Sequence, residues 1–218
     1  DVQAAAIPLT ALTVMQAFEL MQVKKGNTIF ISGGTGGVGA MAITLAKAKG
    51  LKVITNGSVE NKERVLALGA DRFIDYKTED YTQTVANVDY VLDTLGGQET
   101  EKQMTIMKKG GQLVSLKGIP NGAFAKRMGF TGLKRLLFSF AGRKFDKMAQ
   151  KYGVTYNFIF VQANGAQLTE VAKLFTKLEL KPSLDTVYAF SDVNAALDKV
   201  ANGRSRGKTV LDLQQGEK

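Results

Sequence analysis

The residues of this chain best suited to chemistry are glycines. Gly34-Thr35-Gly36-Gly37-Val38-Gly39 has G-x-G-x-x-G spacing, directly after the apolar run Thr28 to Ser32 and directly before the small-residue run Ala40 to Lys49. A strand that turns tightly into a helix needs glycine there for three reasons. The turn uses backbone angles that a Cβ disfavours, the backbone must come close to a pyrophosphate, and the helix must lie against its strand. The first N–H groups of such a helix lack partners within it and face an anion. A merely flexible turn would use the same residues. Here, however, an apolar strand precedes, an Ala-rich helix comes after (Ala40, Ala42, Ala46, Ala48) and a second strand, Leu51 to Thr55, is next. That context points to a dinucleotide site.

At the end of the second strand an NAD-binding unit places an acid on the ribose 2′-hydroxyl. This chain has Thr55-Asn56-Gly57-Ser58 there, with Lys62 and Arg64 shortly after. A carboxylate would repel a 2′-phosphate and cations attract it, so the pattern favours NADP(H) over NAD(H). The alternative is that Lys62 and Arg64 belong to a solvated helix face. What is missing is equally informative. With no cysteine and no histidine, disulfides, thiolate or imidazole metal ligands and any Ser-His or Cys-His nucleophile are excluded. A carboxylate-only cation site stays open, without EF-hand-like spacing to mark one.

The elements that must position these residues alternate regularly. Strands are expected at about 27–32, 51–56, 71–75, 88–93 and 111–116, each followed by a helical segment, after a first helix over 9–22 that stops at Lys24-Lys25-Gly26. This is the pattern of a doubly wound α/β domain with a parallel sheet, whose ligands lie beyond the carboxyl ends of the strands. Beyond it, 154–161 reads as a strand, 167–178 as a helix, 184–190 as a strand and 191–201 as a helix capped by Ser191, with Asp192 in its first turn. No stretch approaches the roughly 20 apolar residues of a membrane span, and Asp1-Val2-Gln3 does not begin a signal peptide, so a cytoplasmic location is expected.

Several motifs in succession carry a more specific likeness. Gly33 to Gly39, Leu68-Gly69-Ala70-Asp71 with Ile74-Asp75-Tyr76, Val88 to Gly97, and Gly207-Lys208-Thr209-Val210-Leu211 resemble the medium-chain dehydrogenase/reductase superfamily, and within it the zinc-independent quinone oxidoreductase and enone reductase branch. The resemblance implies a Rossmann domain over residues 1–155 and, over 156–218, a return into a GroES-like substrate domain. The main part of that domain precedes the first helix in family members, so the chain reads as a fragment. The resemblance also assigns a cofactor-binding set. Thr35, Gly36, Gly37 and Val38 match the pyrophosphate turn. Gly57, Ser58 and Lys62 match the adenosine-phosphate pocket of NADPH-dependent members, and Tyr76 a position near the adenosine. Asp93, Thr94 and Gly97 flank the cofactor crevice, Leu116, Lys117 and Gly118 match backbone near the nicotinamide, and Lys208 matches a base that reaches the pyrophosphate. A homodimer is implied as well.

The activity implied is NADPH-dependent hydride transfer to a quinone or an α,β-unsaturated carbonyl. The zinc ligand that related alcohol dehydrogenases supply just ahead of this domain falls near Pro8, which cannot coordinate a metal, so the enzyme reads as zinc-free. A zinc-type alcohol dehydrogenase and a non-catalytic NADP-binding scaffold or sensor are the alternatives. No catalytic acid or base is assigned.

One stretch stands apart. Residues 120–151 hold eight cations (Lys126, Arg127, Lys134, Arg135, Arg143, Lys144, Lys147, Lys151) against one acid, Asp146, a net +7 out of the chain's formal +9. Phe124, Met128, Phe130, Leu133, Leu136, Leu137, Phe138 and Phe140 lie among them. A helix that packs its apolar face on a neighbouring domain is the favoured reading. A membrane-surface helix, a lid or a nucleic-acid contact is less favoured, and no nucleic-acid partner is expected.

Overall fold

The computed structural model describes residues 1–202 and 207–214. Residues 203–206 and 215–218, part of the expected return segment, lie outside that description.

The chain enters through α1 (Val2–Ala5) and α2 (Pro8–Met21). Pro8 occupies the first helical turn, where its missing N–H would have had no partner and its fixed φ is already helical. The helix ends ahead of the Lys24-Lys25-Gly26 stop, at Gln22 in a left-handed conformation (φ 51°). Next come β1 (Thr28–Ile31), α3 (Gly37–Ala48), β2 (Lys52–Gly57), α4 (Lys62–Ala67), β3 (Arg72–Asp75), α5 (Tyr81–Thr84), β4 (Val88–Asp93), α6 (Gln98–Thr105) and β5 (Met107–Ser115). The remainder is α7 (Gly122–Arg127), α8 (Gly132–Tyr152), β6 (Thr155–Phe158), α9 (Gly165–Lys177), β7 (Leu184–Ala189), α10 (Val193–Ala201) and β8 (Lys208–Asp212).

The first six strands form one sheet in the order β3-β2-β1-β4-β5-β6, every pair parallel. This is the expected doubly wound Rossmann arrangement, and the strand order reverses between β1 and β4. Both faces are covered, so the inner strands are apolar nearly throughout rather than alternating. All six residues of β4 are buried. Ile29, Ile31 and Leu92 point into the core shared with α2, α3 and α9, while Phe30, Val91 and Leu113 point into the core shared with α6 and α8. Each such side chain contributes about 1.5–3 kcal/mol by leaving water. Ala42 and Ala46 of α3 are both fully buried, and Ile43 and Leu45 fill the same core between α3 and its neighbours.

The segment expected to return into a second domain divides in two. Thr155–Phe158 pairs with β5 as the edge of the six-stranded sheet, and α9 sends Val171 and Phe175 into the same core as α2. Only the later part, β7 and β8, forms a separate two-stranded parallel sheet. A boundary at residue 155 therefore falls on the first residue of β6, all four residues of which pair with β5. Ser191 does not cap: Phe190–Asp192 is a 3₁₀ turn, and α10 starts after Asp192 without a side-chain cap. The basic stretch forms two helices, α7 and α8, separated at Gly129 (φ 72°).

Candidate nucleotide-binding site

The glycine turn is fastened on every side before any ligand arrives. Ser32 accepts a hydrogen bond from Thr94 N on its hydroxyl (2.9 Å), and its carbonyl accepts from Thr94 Oγ1 (2.6 Å), so the ends of β1 and β4 are tied across the point where strand order reverses. Gly33 N donates to Asn56 Oδ1 (2.8 Å) and Gly34 N to Asn56 O (3.1 Å), which ties the turn to the end of β2. Thr55 Oγ1 donates to Ile31 O (2.6 Å). Arg64, expected to face a 2′-phosphate, instead donates to Thr35 O (2.7 Å) and Ser183 Oγ (2.9 Å), so it braces the turn against the segment leading into β7.

Two glycines are dictated by space. A Cβ on Gly34 would overlap Thr55 Oγ1, and one on Gly39 would overlap the Gly33 carbonyl oxygen. Gly36 caps α3 in an extended conformation without a side-chain bond, and the first backbone bond of the helix runs from Ala40 N to Gly36 O (2.9 Å). The N–H groups of Gly37, Val38 and Gly39 precede that bond and are the ones a helix start leaves for an anion. Lys208, at the start of β8, reaches this point: a Cβ on Gly37 would lie 3.5 Å from its Cδ.

A cavity of about 860 Å³ opens beside the turn, lined by Gly33, Thr35, Asn56, Gly57, Tyr76 and Lys77, with Leu95 and Glu99 on the far wall. Tyr76 stands largely exposed at its rim. Gly57 is needed because a Cβ there would overlap Thr35 Cγ2. Ser58 and Lys62 do not line this cavity. Lys62 is exposed at the start of α4, and Ser58 accepts from Asn61 (3.2 Å). A hydrogen bond from Ser58, then one from its own backbone N–H, then Lys77 at 3.4 Å hold the Glu60 carboxyl below the usual range. Of the two cations that line the cavity, Lys77 and Lys102, Lys77 is the one paired with Glu60. Neither was singled out in the sequence, because the third strand had to be placed before Lys77 could be seen to face the end of β2. At the inner wall Tyr81 stacks on Phe30 (4.8 Å) and donates to Glu99 (3.0 Å). Burial first, then Glu99, pushes its phenol well above the ordinary tyrosine range.

The loops after β4 and β5 complete the crevice, with Asp93 beneath them rather than in it. Asp93 is fully buried. Its carboxylate accepts from Gly96 N (2.8 Å), Leu95 N (3.1 Å), Thr100 Oγ1 (2.7 Å), Ser115 Oγ (2.8 Å) and Gln103 Nε2 (3.2 Å). These bonds offset the cost of a buried charge and set the loop that carries Thr94 and Gly97. Gly97 begins α6 at φ 63°. Leu116 N donates to Asp93 O (2.9 Å), so the β5 loop rides on β4. A Cβ on Gly96 would come within 2.8 Å of Lys117 O, and one on Gly118 would overlap Tyr156 Oη. Tyr156 in turn accepts from Ile119 N and donates to Ile119 O, both at 3.0 Å, and burial raises its phenol above the ordinary range, which keeps it a donor. Thr35, Gly57 and Tyr76 therefore meet at one cavity, whereas Thr94, Gly97 and Leu116 to Gly118 lie on the neighbouring loops after β4 and β5 and do not line it. Asp93 acts from below, and Ser58 and Lys62 stand to one side. Asn56, like Lys77, has a role that sequence reasoning missed; its only signal is a polar residue near the end of an apolar strand.

Residues 68–211 match the family model described as zinc-binding dehydrogenase. The chain belongs to this family, within the medium-chain dehydrogenase/reductase superfamily. Among its relatives, the NAD(P)H oxidoreductase RTN4IP1, mitochondrial, of Mus musculus is 32% identical over 97% of this chain and 55% of that protein. The 2-methylene-furan-3-one reductase of Solanum lycopersicum is 28% identical over 96% of this chain and 46% of its own length. The solved structure of the quinone oxidoreductase from Coxiella burnetii superposes with a TM-score of 0.81 at 28% identity, covering 96% of this chain and 60% of that one. The chain thus spans about half the length of the curated relatives it matches. Its residues do not fit the metal in the family's name. The sequence has no His or Cys, and among the described residues no three of His, Cys, Asp and Glu converge on one point. They do fit a dinucleotide: glycine positions that a Cβ would fill, and helix N–H groups left open.

Proposed function

We propose that this chain is the nucleotide-binding half of an NADPH-dependent, zinc-independent oxidoreductase that reduces a quinone or an α,β-unsaturated carbonyl. The observation that carries the reading is the braced glycine turn at the β1/β4 switch point, with the N–H groups of Gly37, Val38 and Gly39 and the Lys208 side chain converging beside a cavity large enough for a nucleoside. Gly37, Val38, Gly39 and Lys208 would hold the pyrophosphate. Thr35, Gly57 and Tyr76 would receive the adenosine, with Lys77 and Lys62 as the cations for a 2′-phosphate. The preference for NADP(H) rests on Asn56 and Gly57 standing where an acid would hold a free 2′-hydroxyl. The names of the relatives, NAD(P)H oxidoreductase and quinone oxidoreductase among them, support a nicotinamide cofactor and a small-molecule substrate.

A bound reduced nicotinamide supplies a hydride, and reduction of the acceptor then consumes one proton. The role of this chain's own residues is positioning. Asp93 and Tyr156 hold the two loops against which the reacting ring would lie, and orientation of that kind accounts for much of a hydride transferase's rate advantage. The proton donor is left to water or to residues beyond this chain.

The test is calorimetric titration with NADPH and NADH, repeated with Lys62→Ala and Lys77→Ala. The reading expects tighter binding of NADPH and a loss of about tenfold in at least one variant for NADPH alone, the size of one charged hydrogen bond. Equal affinities that neither variant changes would overturn the NADP preference. No binding of either nucleotide would overturn the site itself.

A further inference from the structure

The first half of α8 turns its apolar side chains outward. Leu133, Leu136, Leu137 and Phe140 are 71%, 52%, 59% and 63% exposed, and their i, i+3, i+4, i+7 spacing sets them in one stripe. The helix does not need that stripe to stay in place. From beneath, Gly142, Phe145 and Ala149 are buried, Phe145 stacks on Tyr156 (5.0 Å) and Phe138 stacks on Phe130 (5.5 Å). Gly142 lets the helix sit directly on Asn121, since a Cβ there would overlap the Asn121 Cβ. The same outward face continues as Lys144 and Lys147, with Lys134, Arg135 and Arg143 alongside, all exposed. The single acid of the helix, Asp146, accepts from Asn121 Nδ2 (2.7 Å).

We propose that this face docks on the surface of an anionic phospholipid bilayer. The four apolar side chains gain only in an apolar phase and the cations only at an anionic boundary, and a bilayer interface offers the two side by side. A second copy of the chain would bring the same uncompensated cations against these, which opposes face-to-face pairing. A nucleic acid would match the cations and leave the four apolar side chains in water. The helix lies on the membrane rather than through it, since among the described residues no helix is long and apolar enough to cross one.

The test is co-sedimentation with phosphatidylcholine vesicles, with and without phosphatidylglycerol, at low and high salt, for the chain and for the full product of its gene. Two variants accompany it: Leu133→Ser/Leu137→Ser/Phe140→Ser and Lys144→Gln/Lys147→Gln. Circular dichroism and NADPH titration serve as controls, because none of these residues touches the nucleotide site. Both proteins are expected to sediment with phosphatidylglycerol vesicles at least about tenfold better than with phosphatidylcholine alone, to be released by salt, and to lose binding in either variant. Binding by the apolar variant equal to wild type would leave only a charge effect and would overturn the proposal. So would loss of vesicle binding in the full gene product, a lipid-free dimer that the apolar variant dissolves, or no preference for the anionic lipid.

Discussion

The glycines that open α3 and those that open α8 are the same residue in opposite circumstances. At α3, Gly34 and Gly39 stand where a Cβ would overlap backbone or a fixed hydroxyl. Their neighbours are tied to β2 and β4 through Asn56, Ser32 and Thr94. At α8, Gly129 and Gly132 have nothing within 4 Å of an added Cβ, and their claim to glycine is a left-handed φ of 72° and 53°. The first pair is set by distance and the second by dihedral angle. The two helices differ accordingly: α3 starts from a turn hydrogen-bonded to β2 and β4, and α8 carries an exposed apolar stripe. A ligand site that must hold charge is built by removing freedom, whereas a docking face needs only a helix anchored from behind.

Substitutions should separate the two regions by size of effect. Gly39→Ala drives a methyl group into the Gly33 carbonyl, so a loss of about 3 kcal/mol in denaturant unfolding is expected, with nucleotide binding abolished. A fully folded, nucleotide-binding Gly39→Ala protein would show that the turn is looser than its contacts imply. Asp93→Ala leaves several buried donors without an acceptor, and a loss of about 2–3 kcal/mol is expected, with nucleotide affinity falling because the Thr94–Gly97 loop is no longer set. Asp93→Asn, which keeps part of the acceptor set, should lose less. Gly132→Ala meets no atom and pays only for its left-handed backbone, about 1 kcal/mol, with NADPH affinity unchanged. Smallest of all, Leu137→Ser should alter unfolding free energy by no more than about 0.5 kcal/mol, since the side chain is already in water. A large destabilisation there would mean that the stripe is packed within the chain, and the contrast between the two helix starts would fail.

Much of the nucleotide-binding half was legible in the chain itself. The spacing from Gly34 to Gly39, the apolar runs ahead of and behind it, and the absence of His and Cys determined a parallel α/β sheet with a tight glycine turn at its first crossover and no imidazole or thiolate chemistry from this chain's own side chains. These come from local constraints: a glycine is required wherever a Cβ cannot fit, and an apolar run of strand length must be buried. Tertiary structure decided which polar residues act and where. Arg64 turned from the expected phosphate toward Thr35 and Ser183, Asp93 sank beneath the crevice it was expected to flank, and Asn56 and Lys77 took up positions that their own neighbourhoods in sequence do not announce. The outward direction of Leu133, Leu136, Leu137 and Phe140 was likewise undecidable from periodicity. An amphipathic pattern states that two faces differ, and only the packing of Phe138, Gly142, Phe145 and Ala149 against their neighbours states which one is inside.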